Sequence, residues 1–245
     1  MTEEIIKDDD YKNNNDKRSK GSLEALCDLI NPSEHPNFRL NFYSFAQNRR
    51  RLDSDNRKYN KQIYSAGILP FYVKNNTVYL LLGKDHEGKW SDFGGRSEGQ
   101  DRNRWDTTAA REFYEESVGS IMDIPTMLSR LQHRKNYNKL IGKTLNGSPY
   151  FMYFVKIPFK ETYRDNFNST LAFIQFTKSF DKKYIEKTDI QWISLDTILM
   201  SLDEINTDII NYPLRKVFKK TFVENLETIK TFGAQYYENK LGYKN

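Results

Sequence analysis

Hydrophobic and polar positions follow different patterns on the two sides of Ile63. Residues 1–20 are polar and charged with few apolar anchors, which predicts a disordered tail. The stretch SLEALCDLI then places apolar residues at helical spacing behind a serine that can cap a helix, and an aromatic and then basic segment continues to about residue 60. We therefore expect a helical extension and linker over residues 21–60 and a folded domain over residues 61–245.

Apolar runs within the domain alternate with polar loops. IYSAGILPFYV and TVYLLLGKD predict a hairpin that turns at Asn75 and Asn76, and YFMYFVKIPF predicts a further strand. Helical periodicity marks residues 105–118, the stretch PTMLSRLQHRK and the chain from Pro213 onward, while IQWISLDTILMSL runs from a strand into a helix. LAFIQFTKSF fits a strand or a helix. The mixture predicts an α+β or an α/β/α layered domain.

The seven residues REFYEES, at positions 111–117, concentrate charge on the most regular of these helices. Positions i, i+3 and i+4 share a helix face, so the carboxylates of Glu112, Glu115 and Glu116 converge there. Phe113 points to the opposite side, toward the core. One face of the helix is thus anchored in the protein, and the other face gathers anions that require a cation.

Two interpretations of this acidic face are open. Arg111 can supply one positive charge, and divalent metal ions that prefer carboxylate oxygen can supply the rest. The simpler interpretation is a solvated helix surface on which Arg111 and Glu115 form an ordinary ion pair. The preceding segment favours the metal site, because Gly94 and Gly95 allow the backbone to turn sharply and approach a ligand or ion.

The stretch FGGRSEGQDRNRWDTTAAREFYEESVG resembles the Nudix box of the Nudix hydrolases. The family pattern is glycine, five residues, glutamate, seven residues and then Arg-Glu-aliphatic-any-Glu-Glu-any-Gly-aliphatic. The opening glycine and the core of the motif match residue by residue, at Gly95, Arg111, Glu112, Phe113, Glu115 and Glu116. The similarity extends over most of residues 62–200. It implies an α/β fold, an α/β/α sandwich around a mixed sheet, here with an N-terminal helical extension.

Several positions depart from the family pattern. Asp101 stands where glutamate is usual, and nine residues rather than seven separate it from Arg111, so that the loop is two residues longer. The closing glycine is Gly119, one place late, with Val118 in its usual position. Phe93 stands in place of the proline often found before the glycine pair. These departures change the loop before the helix and leave the acids of the helix intact.

The resemblance implies a hydrolase that cleaves a nucleoside diphosphate linked to another group, with Mg²⁺ or Mn²⁺ as cofactor. Such metals polarise a phosphoryl group and lower the pKa of a bound water. Carried over to this sequence, the resemblance makes Glu115 and Glu116 direct metal ligands, with the backbone carbonyl of Gly94 as a third. Glu112 is either a ligand or the general base, and Arg111 orients it.

One acid late in the chain belongs to the same comparison. The stretch EKTDIQWISLDTI resembles an acid-rich segment of the family that ends in a tryptophan and a short helix. Glu186, six residues before Trp192, matches a position where some members carry an extra metal-binding acid. Asp189 is the alternative ligand, and an acid on a surface loop is the simpler interpretation of Glu186.

The motif leaves the substrate open among capped RNA, dinucleoside polyphosphates, ADP-ribose, nucleotide sugars, nucleoside triphosphates, oxidised nucleotides and inositol pyrophosphates. Three basic stretches, QNRRRLDSDNRK, QHRKNYNK and LRKVFKK, together favour a long polyanion, although each alone is better explained as solvated charge. Composition and the helical extension resemble Nudix proteins of large DNA viruses, some of which remove mRNA caps, so we rank decapping first. The alternative of another class is a catalytically silent Nudix domain that only binds nucleotide or RNA.

Composition limits the remaining possibilities. The 245 residues carry 38 lysines and arginines against 33 acids, a net charge of +5 and a mild preference for anionic partners. Cys27 is the only cysteine, which excludes an internal disulfide and a zinc site built on several thiolates. No apolar run approaches the roughly 20 residues of a membrane helix, and the first residues lack the apolar region of a signal peptide. We expect a cytoplasmic protein without a membrane partner; the sequence does not indicate its oligomeric state.

Overall fold

The computed structural model describes residues 64–177, 185–202 and 212–237. The predicted tail over residues 1–20 and the predicted extension over residues 21–60 lie outside this part of the chain, as does Cys27. Within the described ranges, no helix is long and apolar enough to cross a membrane.

Seven strands and six helices make up the described part of the chain. The strands are β1 (Ser65–Lys74), β2 (Thr77–Asp85), β3 (Trp90–Ser91), β4 (Phe93–Arg96), β5 (Tyr137–Lys143), β6 (Pro149–Lys156) and β7 (Lys187–Ser194). The helices are α1 (Trp105–Glu116), α2 (Ile124–Leu131), α3 (Tyr163–Thr177), α4 (Leu195–Leu202), α5 (Lys216–Glu224) and α6 (Leu226–Ala234). Short 3-10 helices cover Gly99–Asp101 and Arg134–Asn136.

All seven strands belong to one mixed sheet with β1 at its centre. Along one edge β1 pairs in parallel with β6, which in turn pairs with β5. Along the other edge, β1 pairs antiparallel with β2 through its second half and with β4 through its first half. β2 also pairs with β3 and β7. This arrangement places Gly94 and Gly95 of β4 beside the first residues of the central strand, where Gly67 faces Gly94 and Ala66 faces Gly95.

Two apolar cores lie on the two faces of the sheet. Helices α1, α2 and α3 cover one face, and α4, α5 and α6 cover the other. The alternation of side chains along β1 feeds both cores, because Ile68 belongs to the first and Leu69 to the second. Mixed strands between two helical layers confirm the α/β fold and the α/β/α sandwich expected from the sequence.

The local predictions are confirmed where the hydrophobic pattern is strong. β1 and β2 form the predicted hairpin, and Asn75 and Asn76 both adopt positive φ angles, of 50° and 57°, as a tight hairpin turn requires. The ambiguous stretch LAFIQFT lies in helix α3. The chain after Pro213 forms two short helices that meet at Asn225, whose side-chain amide donates to the carbonyls of Ile141 and Thr221.

Strand β5 was not predicted. Only Leu140 and Gly142 of its seven residues are buried, so the sequence YNKLIGK shows a weak apolar alternation. Its place in the sheet comes from pairing with β6, which is a long-range contact that no local pattern contains.

Candidate active site

Helix α1 presents its acidic face from a firmly packed base. Ala109, Ala110 and Phe113 are fully buried, and the Phe113 ring meets the Phe93 ring of β4 edge to face, with centroids 5.2 Å apart. The helix ends at Glu116, and Val118 and Gly119 follow with φ angles of 49° and 67°. The packing fixes the helix against β4, so that the acids lie over the glycine pair.

Arg111 lies at the centre of the acidic face and is almost completely buried. Its Nη1 atom lies 2.9 Å from the Glu112 carboxylate and 3.0 Å from that of Glu115. Nε and Nη2 each donate to one oxygen of Asp101, both at 3.0 Å, and Nη2 also donates to the carbonyl of Arg96 at 2.9 Å. The Arg111–Glu115 pair expected from the sequence therefore exists, but it belongs to a buried network and not to a solvated surface.

The longer loop before the helix keeps Asp101 in reach of Arg111. Arg102 and Asn103, directly after Asp101, both adopt positive φ angles, of 51° and 57°, and form a tight turn into α1. Asp101 itself is buried and also accepts hydrogen bonds from the backbone N–H of Glu98 and the hydroxyl of Thr108. The turn brings the acid back under the helix, so the contact is made across nine intervening residues.

Glu116 lies deepest among the three glutamates. One of its carboxylate oxygens accepts a hydrogen bond from the backbone N–H of Gly94 at 2.9 Å and lies 3.5 Å from Nζ of Lys187, the first residue of β7. Lys187 has no exposed side-chain surface, and its ammonium also donates to the Ser91 hydroxyl and the Asp92 carbonyl. Burial raises the pKa of Glu116 well above its usual value, against the opposing effect of Lys187.

Glu112 packs directly on the backbone of Gly95. A methyl group at Gly95 would lie only 2.5 Å from a Glu112 carboxylate oxygen, so the present position of this carboxylate requires glycine here. Burial raises the pKa of the Glu112 carboxyl to about 8; Arg111 opposes the shift, and the charges of Glu115 and Glu186 add to it. The Glu112 carboxyl is thus held between the guanidinium of Arg111 and the backbone of Gly95.

Glu186 and Asp189, the two acids considered near the start of β7, lie in different environments. Glu186 is exposed, and its charge raises the pKa of both Glu112 and Glu116, so it belongs to the same electrostatic site. Asp189, the alternative, accepts two hydrogen bonds from Arg164 of α3, at 2.9 and 2.6 Å. The sequence prediction for Gly94 concerned its carbonyl, whereas the contact seen here is made by its N–H group.

The donor set suits a hard divalent cation. Among the described residues, Oε1 of Glu116 is buried without a hydrogen-bond partner, and burial, together with the neighbouring acids, raises the pKa of the Glu112 and Glu116 carboxyls. Carboxylate oxygens are the ligands that Mg²⁺ and Mn²⁺ prefer. As they stand, however, no three acidic, histidine or cysteine side chains of the described residues converge closely enough to hold a metal ion. Arg111 draws Glu112 and Glu115 to itself, while Lys187 and Gly94 hold Glu116.

Sequence reasoning missed the buried Lys187 and the acid Asp92, which accepts a hydrogen bond from the Tyr150 hydroxyl. Lys187 begins β7 and Asp92 lies between β3 and β4, and their partners come from distant parts of the chain. A buried charge leaves no periodic signal of its own.

Comparisons with known proteins concern the fold. No protein-family model matches the chain, and no curated protein matches it. The chain is similar to the NUDIX domain of Shewanella oneidensis NrtR complexed with ADP ribose, at 13% identity over 70% of this chain and 86% of that one, with a TM-score of 0.39.

Two further solved structures show a similar degree of likeness. A binary complex of a C. elegans Ap4A hydrolase matches at 13% identity over 68% of this chain and 99% of that one, with a TM-score of 0.35. A NUDIX hydrolase from Nitrosomonas europaea matches at 14% identity over 70% and 75%, with a TM-score of 0.33.

Proposed function

We propose that this chain is a Nudix-type hydrolase that cleaves the diphosphate bridge of a nucleoside diphosphate linked to another group. One observation carries the proposal. The three glutamates of the REFYEES segment lie on one face of α1, two of them against Gly94 and Gly95, and the innermost has a buried oxygen without a partner among the described residues. The arrangement fits the role that the sequence motif implies.

Each residue of the network has an assigned task. Glu115 and Glu116 hold Mg²⁺ or Mn²⁺, with the Gly94 carbonyl as a third donor and Glu186 as a further acid at the exposed edge. Glu112 completes the ligand set or accepts the proton of the attacking water, and Arg111 fixes its orientation. When bound, the cation offsets the charge of the phosphate oxygens and of the leaving phosphate.

The direct test is the variant E116Q, which removes one charge and keeps the shape of the side chain. The wild-type protein should hydrolyse a diphosphate-bridged nucleotide only with Mg²⁺ or Mn²⁺ present, and E116Q should lose roughly 100-fold or more in kcat. E224Q, an exposed acid at the end of α5, is the matched control and should retain full turnover. Equal turnover of E116Q and wild type, with both folded by circular dichroism, would refute the assignment.

Within this class we infer that capped RNA is the substrate to test first. The surface around Trp105 supports this choice. Trp105 is 36% exposed and stacks on Phe151 with centroids 4.1 Å apart, and the Lys139 ammonium lies 4.5 Å from the Trp105 ring centroid. Unpaired bases stack on such aromatic surfaces, and the lysine offers a phosphate contact.

A panel assay separates the substrate candidates. Capped RNA, ADP-ribose, dinucleoside polyphosphates and nucleoside triphosphates are compared at one metal concentration, and W105A is expected to slow only the RNA substrate. RNA binding should also weaken steeply with salt, because phosphate contacts release counterions. A flat salt response together with unchanged RNA turnover in W105A would leave a small nucleotide as the substrate.

The second candidate function is a silent domain that binds nucleotide without cleaving it. It is favoured by the internal pairing of the acids, since Arg111 and Lys187 already neutralise part of their charge. Nucleotide binding without turnover in any of the four substrates, with Mg²⁺ or with Mn²⁺, would establish it.

A further inference from the structure

A cavity of about 430 Å³ opens beside the glycine pair, and the acidic face of α1 does not fill it. Its volume is within the roughly 300–1,000 Å³ of small-molecule sites. Gly94 and Gly95 line it, so the cavity and the acids share the backbone of β4. In a substrate whose diphosphate bridge lies at the acidic face of α1, a group attached to that bridge and extending past β4 would enter this cavity.

The floor of the cavity is a built pair of oxygen-bearing side chains. The Tyr150 hydroxyl donates to the Asp92 carboxylate, and both side chains are buried, each with 4% exposure. Gly67 and Gly94 make room for the pair, because a methyl group at either position would lie 2.6 Å from the Tyr150 hydroxyl. Two glycines of adjacent strands thus accommodate a polar contact in the interior of the sheet.

The pair presents hydrogen-bond acceptors. Tyr150 uses its only proton on Asp92, and a carboxylate has acceptor oxygens alone. No lysine or arginine of the described residues lies within ion-pair distance of the Asp92 carboxylate; the Lys187 ammonium donates to the Asp92 backbone carbonyl instead. A ligand that contacts this floor must therefore bring N–H or O–H donors.

The mouth of the cavity carries positive charge. Lys89, Arg215 and Lys216 line it, together with the apolar side chains of Val217 and Phe218; Lys89 is paired with the one lining glutamate, Glu87, which leaves the excess positive charge to Arg215 and Lys216. Arg215 is held in place through its backbone, whose N–H donates to the Trp90 carbonyl at 2.9 Å, and through an ion pair with Asp85 at 3.3 Å. Cations at the mouth bind phosphate, whereas the apolar wall suits the face of a ring.

We propose that this cavity binds the nucleoside half of the substrate, and that Asp92 and Tyr150 select a base with adjacent N–H donors. Guanine fits this description, because its ring N–H and its amino group lie side by side and match an acceptor-only carboxylate. Hypoxanthine lacks the amino group, and uracil flanks its single ring N–H with carbonyl oxygens that an acceptor floor repels. Arg215 and Lys216 contact the phosphates. The inference rests on the proposed function for the identity of the reaction, but base selection is a property of the cavity alone.

Binding is measured by calorimetry on the full chain carrying E116Q, with EDTA present, so that hydrolysis does not interfere. GDP, IDP and UDP are the probes. In this background GDP should bind at least about tenfold more tightly than UDP, with IDP between them. Adding D92N should weaken GDP binding about tenfold and leave UDP binding within about twofold, because the amide exchanges an acceptor for a donor.

Further variants separate recognition from folding. Y150F keeps the ring and removes the hydroxyl, and should reduce the preference for GDP a few-fold. R215Q should weaken all three nucleotides about equally, since it contacts phosphate. D106N, on the first turn of α1, and K220Q, on α5 outside the cavity, are the matched controls and should bind like the parent. Circular dichroism verifies the fold of each variant.

Two results would overturn the inference. One is equal binding of GDP and UDP to the parent, or no binding of either at millimolar concentration. The other is a base preference that survives both D92N and Y150F. Failure of the proposed function gives a different result. If the protein selects GDP through Asp92 but hydrolyses no diphosphate with any metal, the inference about the cavity holds and the proposed reaction is wrong. If the protein shows metal-dependent hydrolysis without base selection, the proposed function holds and only the inference about the cavity is wrong.

Discussion

The guanidinium of Arg111 and the carboxylate of Asp101 form two parallel hydrogen bonds, both 3.0 Å long, with both side chains almost completely buried. Such fork-shaped contacts fix the orientation of an arginine in a way that a single ion pair does not. Because the remaining nitrogen of Arg111 contacts Glu112 and Glu115, the position of these two acids depends on Asp101.

Removing the charge of Asp101 should therefore destabilise the protein. D101N is expected to lower the free energy of unfolding by about 3 kcal/mol, because it leaves part of a buried guanidinium charge uncompensated. Urea denaturation at neutral pH measures the change. The exposed Arg104–Asp106 pair provides the control, and D106N should cost less than about 1 kcal/mol. Similar losses for the two variants would contradict the structural importance of the buried fork.

The pair of Lys187 and Glu116 allows a double-mutant test in EDTA-treated protein. K187M should destabilise the protein by about 3 kcal/mol, because Glu116 loses its nearest positive charge in the interior. The double variant K187M/E116Q should recover most of that loss, since neither charge remains. The exposed K220M serves as the control for the lysine-to-methionine change.

The same pair predicts how the protein responds to cations. Since K187M removes a positive charge beside a proposed ligand, Mn²⁺ should raise the melting temperature of K187M by more than that of the wild type. Additive effects of K187M and E116Q, with no recovery in the double variant, would show that the two charges do not interact.

The pH dependence of stability tests the environment of Glu112. Its pKa is about 8 in the folded protein and near 4.5 when unfolded, so the folded state binds the proton more tightly. The sign follows from linkage: this carboxyl's contribution to stability is fully present below pH 4.5 and is lost as the pH rises toward 8. In EDTA, the free energy of unfolding of the wild type should fall across this range relative to E112Q. Parallel pH profiles of the two proteins would mean that Glu112 is not shielded from water.

Gly95 provides a test of position without loss of charge. In G95A the new methyl group collides with the carboxylate end of Glu112, which is the flexible end of a side chain and can move aside. We expect a folded protein whose kcat falls roughly 100-fold, because the carboxylate proposed as metal ligand or general base is displaced by about an ångström. G147A, in the turn between β5 and β6, is the control; its added methyl group meets no atom within 4 Å, and the positive φ of 82° makes alanine strained there, so this variant should lose some stability and keep its turnover. Retained activity in G95A would separate Glu112 from the chemistry.

The sequence predicted those parts of the site that a local period encodes. Helical spacing places Glu112, Glu115 and Glu116 on one face with Phe113 opposite, and the structure has this arrangement. The partners of the acids were beyond such reasoning. Lys187 meets Glu116 across 71 positions of the chain, and only the pairing of β2 with β7 brings them together.

The same limit explains the remaining differences. Asp92 immediately precedes β4, and Tyr150 lies on β6. Both strands pair with β1 in the sheet, although they are far apart in sequence. The apolar pattern of LAFIQFT fits both the strand period and the helix period. In the structure this stretch is helical and packs, as part of α3, against β7. The local sequence patterns thus predicted the layers of the fold and the acidic face of α1. The positions of Lys187, Asp92 and Tyr150 depend on which strands pair, and no local pattern contains that information.

The turn at Arg102 and Asn103 has a consequence for how chains of this kind are recognised. It reverses the chain in two left-handed residues and returns the acid to the arginine, so spacing along the chain is a poor measure of distance at this site. A signature that counts residues between the two would pass over this protein. A signature that asks for an acid folded back against a helix arginine would include it, whatever the length of the loop between the two residues.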